Sequence, residues 1–512
     1  MAPGKATSGR LKGRALEILP GGLTWSLLSI PIWGALLFPD KLAYFLLIFN
    51  IYWFYKSATM AICAVAGYRR LKRDQRHAWL AEAQSLPGWR DVHHLVLLPT
   101  YGEATSILRA SLEHLAQQDF PRENISVVLA FEERDPGARR RAEGLLDEFR
   151  PRFANLWATF HPDDPSEVRG KSSNLAYAGP IAKQVLIDEL GYDIKRVLVT
   201  VCDADSHFHT KYLSALTAKF LSDPQGHLRI YQPALLFYAN IWRLPASLRP
   251  LDGLFSVWEV ARMVTRHRLI NQSTYSLALE ACHAVGYWDI DVIPEDSRMF
   301  FKVFFHFGQQ VRVQPIFLPV YADAAEGRSF WQTVLSHYRQ TRRWAWGVSD
   351  IPYVLRRVFS RREIPLFVRL GRTFTYVEDH IAWPVHWFLI TLGAHAMGHL
   401  APVFSASLLG QTLAGLASWV LAGCIPCLCT AAWVDWHLRP ERELPVPWWN
   451  TVLSTGSWFL LPVLGLIGSA LPALDAHTRL LLGRTLHYQV TTKIPAGLPA
   501  RLRPEAAPTE AA

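Results

Sequence analysis

The sequence predicts an α/β fold, a mostly parallel sheet covered by helices on both faces, joined to an α-helical membrane region. Three observations carry that expectation. In the first part of the middle segment, short apolar runs alternate with helical patterns, as βαβ units do. The polar residues fitted for chemistry cluster where those runs stop, at what would be the carboxyl edge of a sheet. Long apolar stretches flank this segment, and 20 tryptophans with a hydrophobic fraction of 50% in 512 residues exceed what a soluble enzyme needs.

His93–Pro99 reads as the first strand, followed by a helix over Ala104–Gln117 with Ile107, Leu108, Leu112 and Leu115 at helical spacing. Ile125–Phe131 is a second strand, Ala138–Phe149 a charged helix and Leu156–Phe160 a third strand. A helix over Ser172–Leu190 leads into a strand at Val197–Cys202, and further strands are expected at Leu228–Pro233, Ser273–Leu279 and Val311–Ile316. The Pro/Ala-rich end after Pro495 has the composition of a disordered tail.

Gly21–Pro39 holds no charged residue and is long enough to cross a bilayer. Leu42–Tyr68 is interrupted only by Lys56, which either marks a polar path, snorkels or faces a neighbouring helix. Ile381–Phe404, Ala406–Val434 and Trp448–Leu474 are three more candidate spans. Lys5, Arg10, Lys12 and Arg14 precede the first span, and Arg69, Arg70, Lys72, Arg73 and Arg76 follow the second, so the positive-inside rule puts both ends of this hairpin, and the middle segment, in the cytoplasm. The net charge of +10 flanks membrane segments, which points to anionic lipid headgroups and away from nucleic acid. The six cysteines have neither zinc-site spacing nor a disulfide pattern, in keeping with a reducing compartment.

Each strand end carries polar groups. The first gives Thr100-Tyr101-Gly102-Glu103, the second Glu132 and Glu133. The third precedes Arg169-Gly170-Lys171-Ser172-Ser173-Asn174 at a helix start, a basic, amide-rich place for a diphosphate. The fourth gives Asp203 and Asp205, two carboxylates spaced to reach one Mg²⁺ or Mn²⁺ that carries a diphosphate. Alone, such a pair also occurs in ordinary loops; its convergence with the other strand ends suggests a nucleotide crevice. Downstream, Gln340, Arg343 and Trp344 share one helix face, with Trp331, Val334, Leu335, Tyr338 and Ala345 roughly opposite, as in a helix lying on a bilayer.

In order, Pro99-Thr100-Tyr101-Gly102-Glu103, Gly170-Lys171 with Asn174, Asp203-Ala204-Asp205, Pro294-Glu295-Asp296-Ser297, Gln340-Thr341-Arg342-Arg343-Trp344 and the closing Leu486–Lys493 resemble the motifs of membrane-embedded family 2 glycosyltransferases, the group that includes cellulose and hyaluronan synthases. Gly102 stands where Asn is usual and Pro294 where Thr is usual. The resemblance implies a GT-A-like domain that binds a nucleotide-sugar, a UDP-sugar, with Mg²⁺ or Mn²⁺. Tyr101, Glu103 and Glu132 would surround the nucleoside, with Lys171 near the phosphates. Asp203 would face sugar and metal, Asp205 the metal, and Asp296, with Glu295 beside it, would be the base of an inverting transfer. Gln340, Arg343 and Trp344 would line the acceptor and diphosphate. Two bland readings stay open: Asp296 caps the helix starting near Ser297, and the Gln340 helix is merely interfacial.

The expected division is a basic tail (1–20), a transmembrane hairpin (21–68), a basic linker (69–90), a catalytic domain (91–330), interface helices (331–372), transmembrane helices (373–475) and a C-terminal tail (476–512). The acceptor is a growing polysaccharide or, alternatively, a lipid or short acceptor taking a single sugar; a non-catalytic transporter or scaffold is the distant alternative.

Overall fold

The computed structural model describes residues 3–442 and 448–486, so the closing phrase from His487 and the Pro/Ala-rich end lie outside the described residues. Its centre is an eight-stranded sheet: β1 (His93–Thr100), β2 (Ile125–Glu132), β3 (Asn155–His161), β4 (Val197–Val201), β5 (His207–Phe208), β6 (Arg229–Leu236), β7 (Tyr275–Ala278) and β8 (Arg312–Tyr321), in the order 3-2-1-4-7-6-8-5. β1 to β4, β6 and β8 run one way, and β7 and β5 run against them. The carboxyl ends of six strands, and the residues entering β7, therefore meet at one edge.

Alternation of side chains explains why these strands read as unbroken apolar runs. Val96 and Leu98 of β1 enter the core on one face, while Leu95 and Leu97 enter the core on the other. The first face is covered by α3 (Thr105–Ala116), α4 (Ala138–Phe149) and α6 (Tyr212–Ser222), the second by α5 (Lys171–Lys183) and α8 (Glu295–Phe307). The helix α7 (Arg249–Arg262) packs its Val257 and Val260 on the first face and lies against α2 (Pro39–Arg76).

The two ends depart from the expected division. The segment read as a basic tail is helical from Pro3: α1 spans Pro3–Leu37 without a break, and Arg14 donates from Nη1 to the Leu480 carbonyl at 2.9 Å. A cation there suits the carbonyl pole of α14 (Leu471–Leu481). The basic linker is likewise mostly helix, because α2 continues to Arg76 and a short helix covers Trp79–Gln84. Between α8 and α14 lie α9 (Phe330–Ala345), α10 (Ile351–Ser360), α11 (Leu366–Leu400), α12 (Leu408–Ala422) and α13 (Cys424–Leu438).

Gly13–Leu37, Pro39–Arg76, Gly410–Leu438 and Thr451–Leu481 are long and apolar enough to cross a membrane, by length and composition. The expected span at Ile381–Phe404 is not among these four. It forms most of α11, where Trp383, His386, His395 and His399 dilute the apolar run. Lys56 faces a neighbouring helix, pairing with Glu378 at 2.9 Å and Asp379 at 3.4 Å on α11.

Candidate functional site

The carboxyl edge gathers acidic groups that lie far apart in sequence. Gly170 takes φ 146°, a conformation open to glycine, and starts α5 so that Lys171 points across the edge. The Lys171 ammonium lies 2.8 Å from Asp203 Oδ1 and 3.0 Å from Glu295 Oε1, and donates to the Ser273 carbonyl at 2.7 Å. Ser273, just before β7, joins the fourth member: its hydroxyl donates to Asp203 Oδ2 at 2.6 Å and its N–H to Asp296 Oδ2 at 2.9 Å. All three polar groups of one serine thus serve the cluster. Its φ of 44° is a left-handed conformation that a serine adopts at a cost of about 1–3 kcal/mol.

Asp203 and Asp205 part company. Asp203 keeps 40% of its side chain exposed. Asp205 is buried, with Oδ2 accepting from the Asp323 N–H at 2.9 Å, which ties it to the segment after β8. Among the described residues no group of three or more His, Cys, Asp or Glu side chains could hold a metal ion. Two hard carboxylates fit the habit of Mg²⁺, which takes one or two from protein and the rest from phosphate and water.

Charge in the cluster is unbalanced, with three carboxylates around one lysine. Burial pulls the Lys171 ammonium down, but Asp203 and Glu295 outweigh it and hold the group well above its ordinary range. Burial pushes Glu295 up to about 7, with Asp296 and Asp203 adding repulsion that Lys171 only partly offsets. A carboxyl raised from 4.5 to about 7 on folding binds more protons folded than unfolded in that window. Its contribution is therefore favourable at acid pH and is lost as pH rises through 7. Glu295→Gln removes that loss, so the melting temperature of the variant minus that of the parent should rise between pH 5 and pH 8; a flat difference would show that Glu295 is ionised throughout.

The other strand ends form a second group. Gly102 takes φ 80°, a turn conformation open to glycine, and donates its N–H to Asp135 Oδ2 at 2.8 Å. Glu103 braces the same turn: Oε2 accepts from Thr100 Oγ1 at 2.7 Å and from the Tyr101 N–H at 2.6 Å. Glu132 is buried and pairs with Arg134 at 2.5 Å, while that guanidinium lies over the Tyr101 ring at 3.9 Å. Arg134, absent from the sequence reading, welds Tyr101 to Glu132. Asn174 is buried and donates to the Ala130 carbonyl at 2.6 Å, so it fastens α5 to β2 rather than facing a phosphate.

Of the α9 residues, Trp344 packs on Phe237, the residue that follows β6. Gln340 is buried and Arg343 half-buried. The Trp344 ring meets Phe237 at 5.1 Å and Phe255 at 5.2 Å, so much of it is engaged by protein and only part is open for stacking. Trp331 and Leu335 are exposed, as the bilayer reading of α9 expected, but Ala345 of the same stripe is buried. Asp350, beyond α9, is fully buried and pairs with Arg298 at 2.5 Å; burial pushes its carboxyl up to about 6 against that partner. Asp350 Oδ2 also accepts from Ser297 Oγ at 3.0 Å, bracing the start of α8 beside Asp296. Asn240 donates to the Ala324 carbonyl at 3.0 Å, His283 bonds Tyr287 at 2.9 Å, and Trp288 is buried and donates to Tyr275.

Residues 198–435 match the family model described as Glycosyl transferase family group 2. That range holds Asp203, Asp205, Glu295, Asp296 and the α9 motif; Tyr101, Glu103, Glu132 and Lys171 precede it. No curated protein matches the chain. Among solved structures, it is similar to the mannosyltransferase PcManGT from Pyrobaculum calidifontis in complex with GDP-Man and Mn²⁺, at 16% identity and TM-score 0.42, over 86% of this chain and 100% of that one. It is also similar to S. aureus TarS 1–349 in complex with UDP-GlcNAc, at 12% identity and TM-score 0.33, over 77% of this chain and 93% of that one. A third similarity is to GalNAc-T7 with UDP, GalNAc and Mn²⁺, at 12% identity and TM-score 0.31, over 60% and 58%.

Proposed function

We propose that the chain, whose residues 198–435 match the family model described as Glycosyl transferase family group 2, moves a sugar, with inversion, from a UDP-sugar to a growing polysaccharide at the membrane. The observation that carries this reading is the convergence of Asp203, Glu295 and Asp296 on Lys171 and Ser273 at the carboxyl edge of the sheet. Inverting transfer needs a base for the acceptor hydroxyl and positive charge for the departing diphosphate. Asp296 is the base, held by two backbone N–H groups from Ser273 and Ser297. Glu295, buried against Lys171, is turned away from that task and tunes the charge of the cluster.

Asp203 and Asp205 would hold Mg²⁺ or Mn²⁺, which when bound supplies charge against the diphosphate. Lys171 binds the phosphate side, and release from Asp203 frees its ammonium to do so. Tyr101, Glu103 and Glu132 frame the nucleoside, with Arg134 locking the tyrosine ring. Gln340, Arg343 and Trp344 border the acceptor side. The basic residues flanking the first two apolar helices support a cytoplasmic catalytic domain.

A polymer is favoured by the α9 motif and its exposed Trp331 and Leu335. The test is the purified full chain in detergent with Mn²⁺ and a panel of radiolabelled nucleotide-sugars. Hydrolysis or transfer from a UDP-sugar and a ladder of products is the expected result. One added sugar would replace polymerisation by single transfer, and inactivity with every donor would remove the enzymatic reading.

A further inference from the structure

A second charged constellation lies on the far side of the segment that holds Asp205. Asp323 bonds Asp205, and the next residue, Ala324, exchanges two hydrogen bonds with Asn240, at 2.8 and 3.0 Å. Two residues further, Trp242 is surrounded by guanidinium groups: Arg442 lies 4.1 Å from its ring centre, Arg249 5.3 Å and Arg439 5.5 Å. The arrangement is built. Trp242 Nε1 donates to the Pro440 carbonyl at 2.9 Å, which holds the chain leaving α13 against the ring. Arg249 donates to the carbonyls of Leu244 and Trp242 at 3.1 and 3.2 Å.

Among the described residues, few carboxylates are available to this cluster. Asp435 pairs with Arg439 at 2.5 Å, both side chains at most 2% exposed. Asp252 is buried nearby, and burial pushes its carboxyl well above the ordinary range, towards the neutral form. Glu326 is taken by Arg243, and Glu441 is exposed. Among the described residues, Asp435 is the one carboxylate paired with any of these three guanidinium groups. Burial pulls the Arg249 guanidinium down to about 10, with the neighbouring Arg439 and Arg442 adding a smaller push in the same direction. Among the described residues, no hydrogen-bond partner reaches Arg442 Nη2 or Arg439 Nε, both of which are buried. Donors of this kind, in a planar fork, match the oxygens of a phosphate.

Location narrows the ligand. Arg439 directly follows α13, at the end of the apolar stretch Gly410–Leu438, which is where a bilayer presents phosphate oxygens. We propose that Arg249, Arg439 and Arg442, arranged around Trp242, form a binding site for the phosphate group of an anionic lipid beside the sugar-transfer cleft.

The test uses native mass spectrometry of the full chain in detergent, titrated with phosphatidylglycerol, with phosphatidylcholine as the zwitterionic control and inorganic phosphate as competitor. The expected result is one tightly held phosphatidylglycerol that Arg442→Gln weakens by about tenfold or more and Arg442→Lys largely retains. Displacement by inorganic phosphate at lower concentration than by the lipid would keep the phosphate site and assign it to a soluble phosphate. Equal retention of the two lipids by the parent chain, with no phosphate bound, overturns the proposal without reference to any variant. Undiminished phosphatidylglycerol binding by a folded Arg442→Gln chain overturns it too.

Discussion

Asp296→Asn should lower sugar transfer by about 10²–10⁴-fold, the range that a positioned general base contributes, while donor affinity stays close to that of the parent. The carboxylate accepts the Ser273 N–H at 2.9 Å through Oδ2 and the Ser297 N–H at 2.7 Å through Oδ1. An asparagine keeps one of those acceptors in the same shape and cannot take a proton from an acceptor hydroxyl. The cost in stability is limited to roughly one cap-type hydrogen bond, about 1 kcal/mol. Capping alone is a poor account of the residue: α8 begins at Glu295, so Asp296 stands inside the first turn and reaches outward to Ser273 as well. Transfer rates and nucleotide binding measured on the same preparation decide the matter. A variant with parental turnover means that another group accepts the proton, and the role assigned to Asp296 fails.

Much of the frame was readable because burial on two sides leaves a plain signature. Strands such as Val197–Val201 are buried at every position, and each ends in a residue that burial does not explain. That is how Asp203, Glu132 and Lys171 could be picked out. What could not be read depends on partners remote in sequence. Ser273 has no local mark; its importance comes from a left-handed backbone and from contacts with residues 70 and 23 positions away. Arg134 is one arginine among many until its guanidinium is seen over Tyr101. Asp350 was invisible because its partner, Arg298, lies 52 residues back on another helix. The direction of β7 was hidden for a similar reason, since a short buried run looks the same in either orientation. At the termini, charge density was read as the end of structure, whereas α1 and α2 carry their basic residues as further helical turns.

Lys171→Met should lower the melting temperature by about 6–12 °C and weaken donor binding as well. Methionine keeps most of the stem and removes the ammonium that stands between Asp203 and Glu295. Breaking a buried ion pair by deleting one partner costs about 3–5 kcal/mol, and each kcal/mol moves the midpoint by roughly 2–4 °C in a domain of this size. The loss falls towards the lower end of that range, because Glu295 already sits at about 7 and can take a proton instead of remaining charged. The sign with pH follows from this. Acid conditions neutralise the stranded carboxylates, so the gap between parent and variant should shrink as pH falls from 8 to 5. The double variant Lys171→Met with Glu295→Gln separates the two roles of the lysine. It should recover much of the melting temperature, since the buried charge has gone with its partner, but not the donor affinity, since nothing cationic remains to meet the phosphates. Parental melting and parental donor binding in the single variant would mean that Lys171 is a bystander, and the charge balance assigned to the cluster would fall with it.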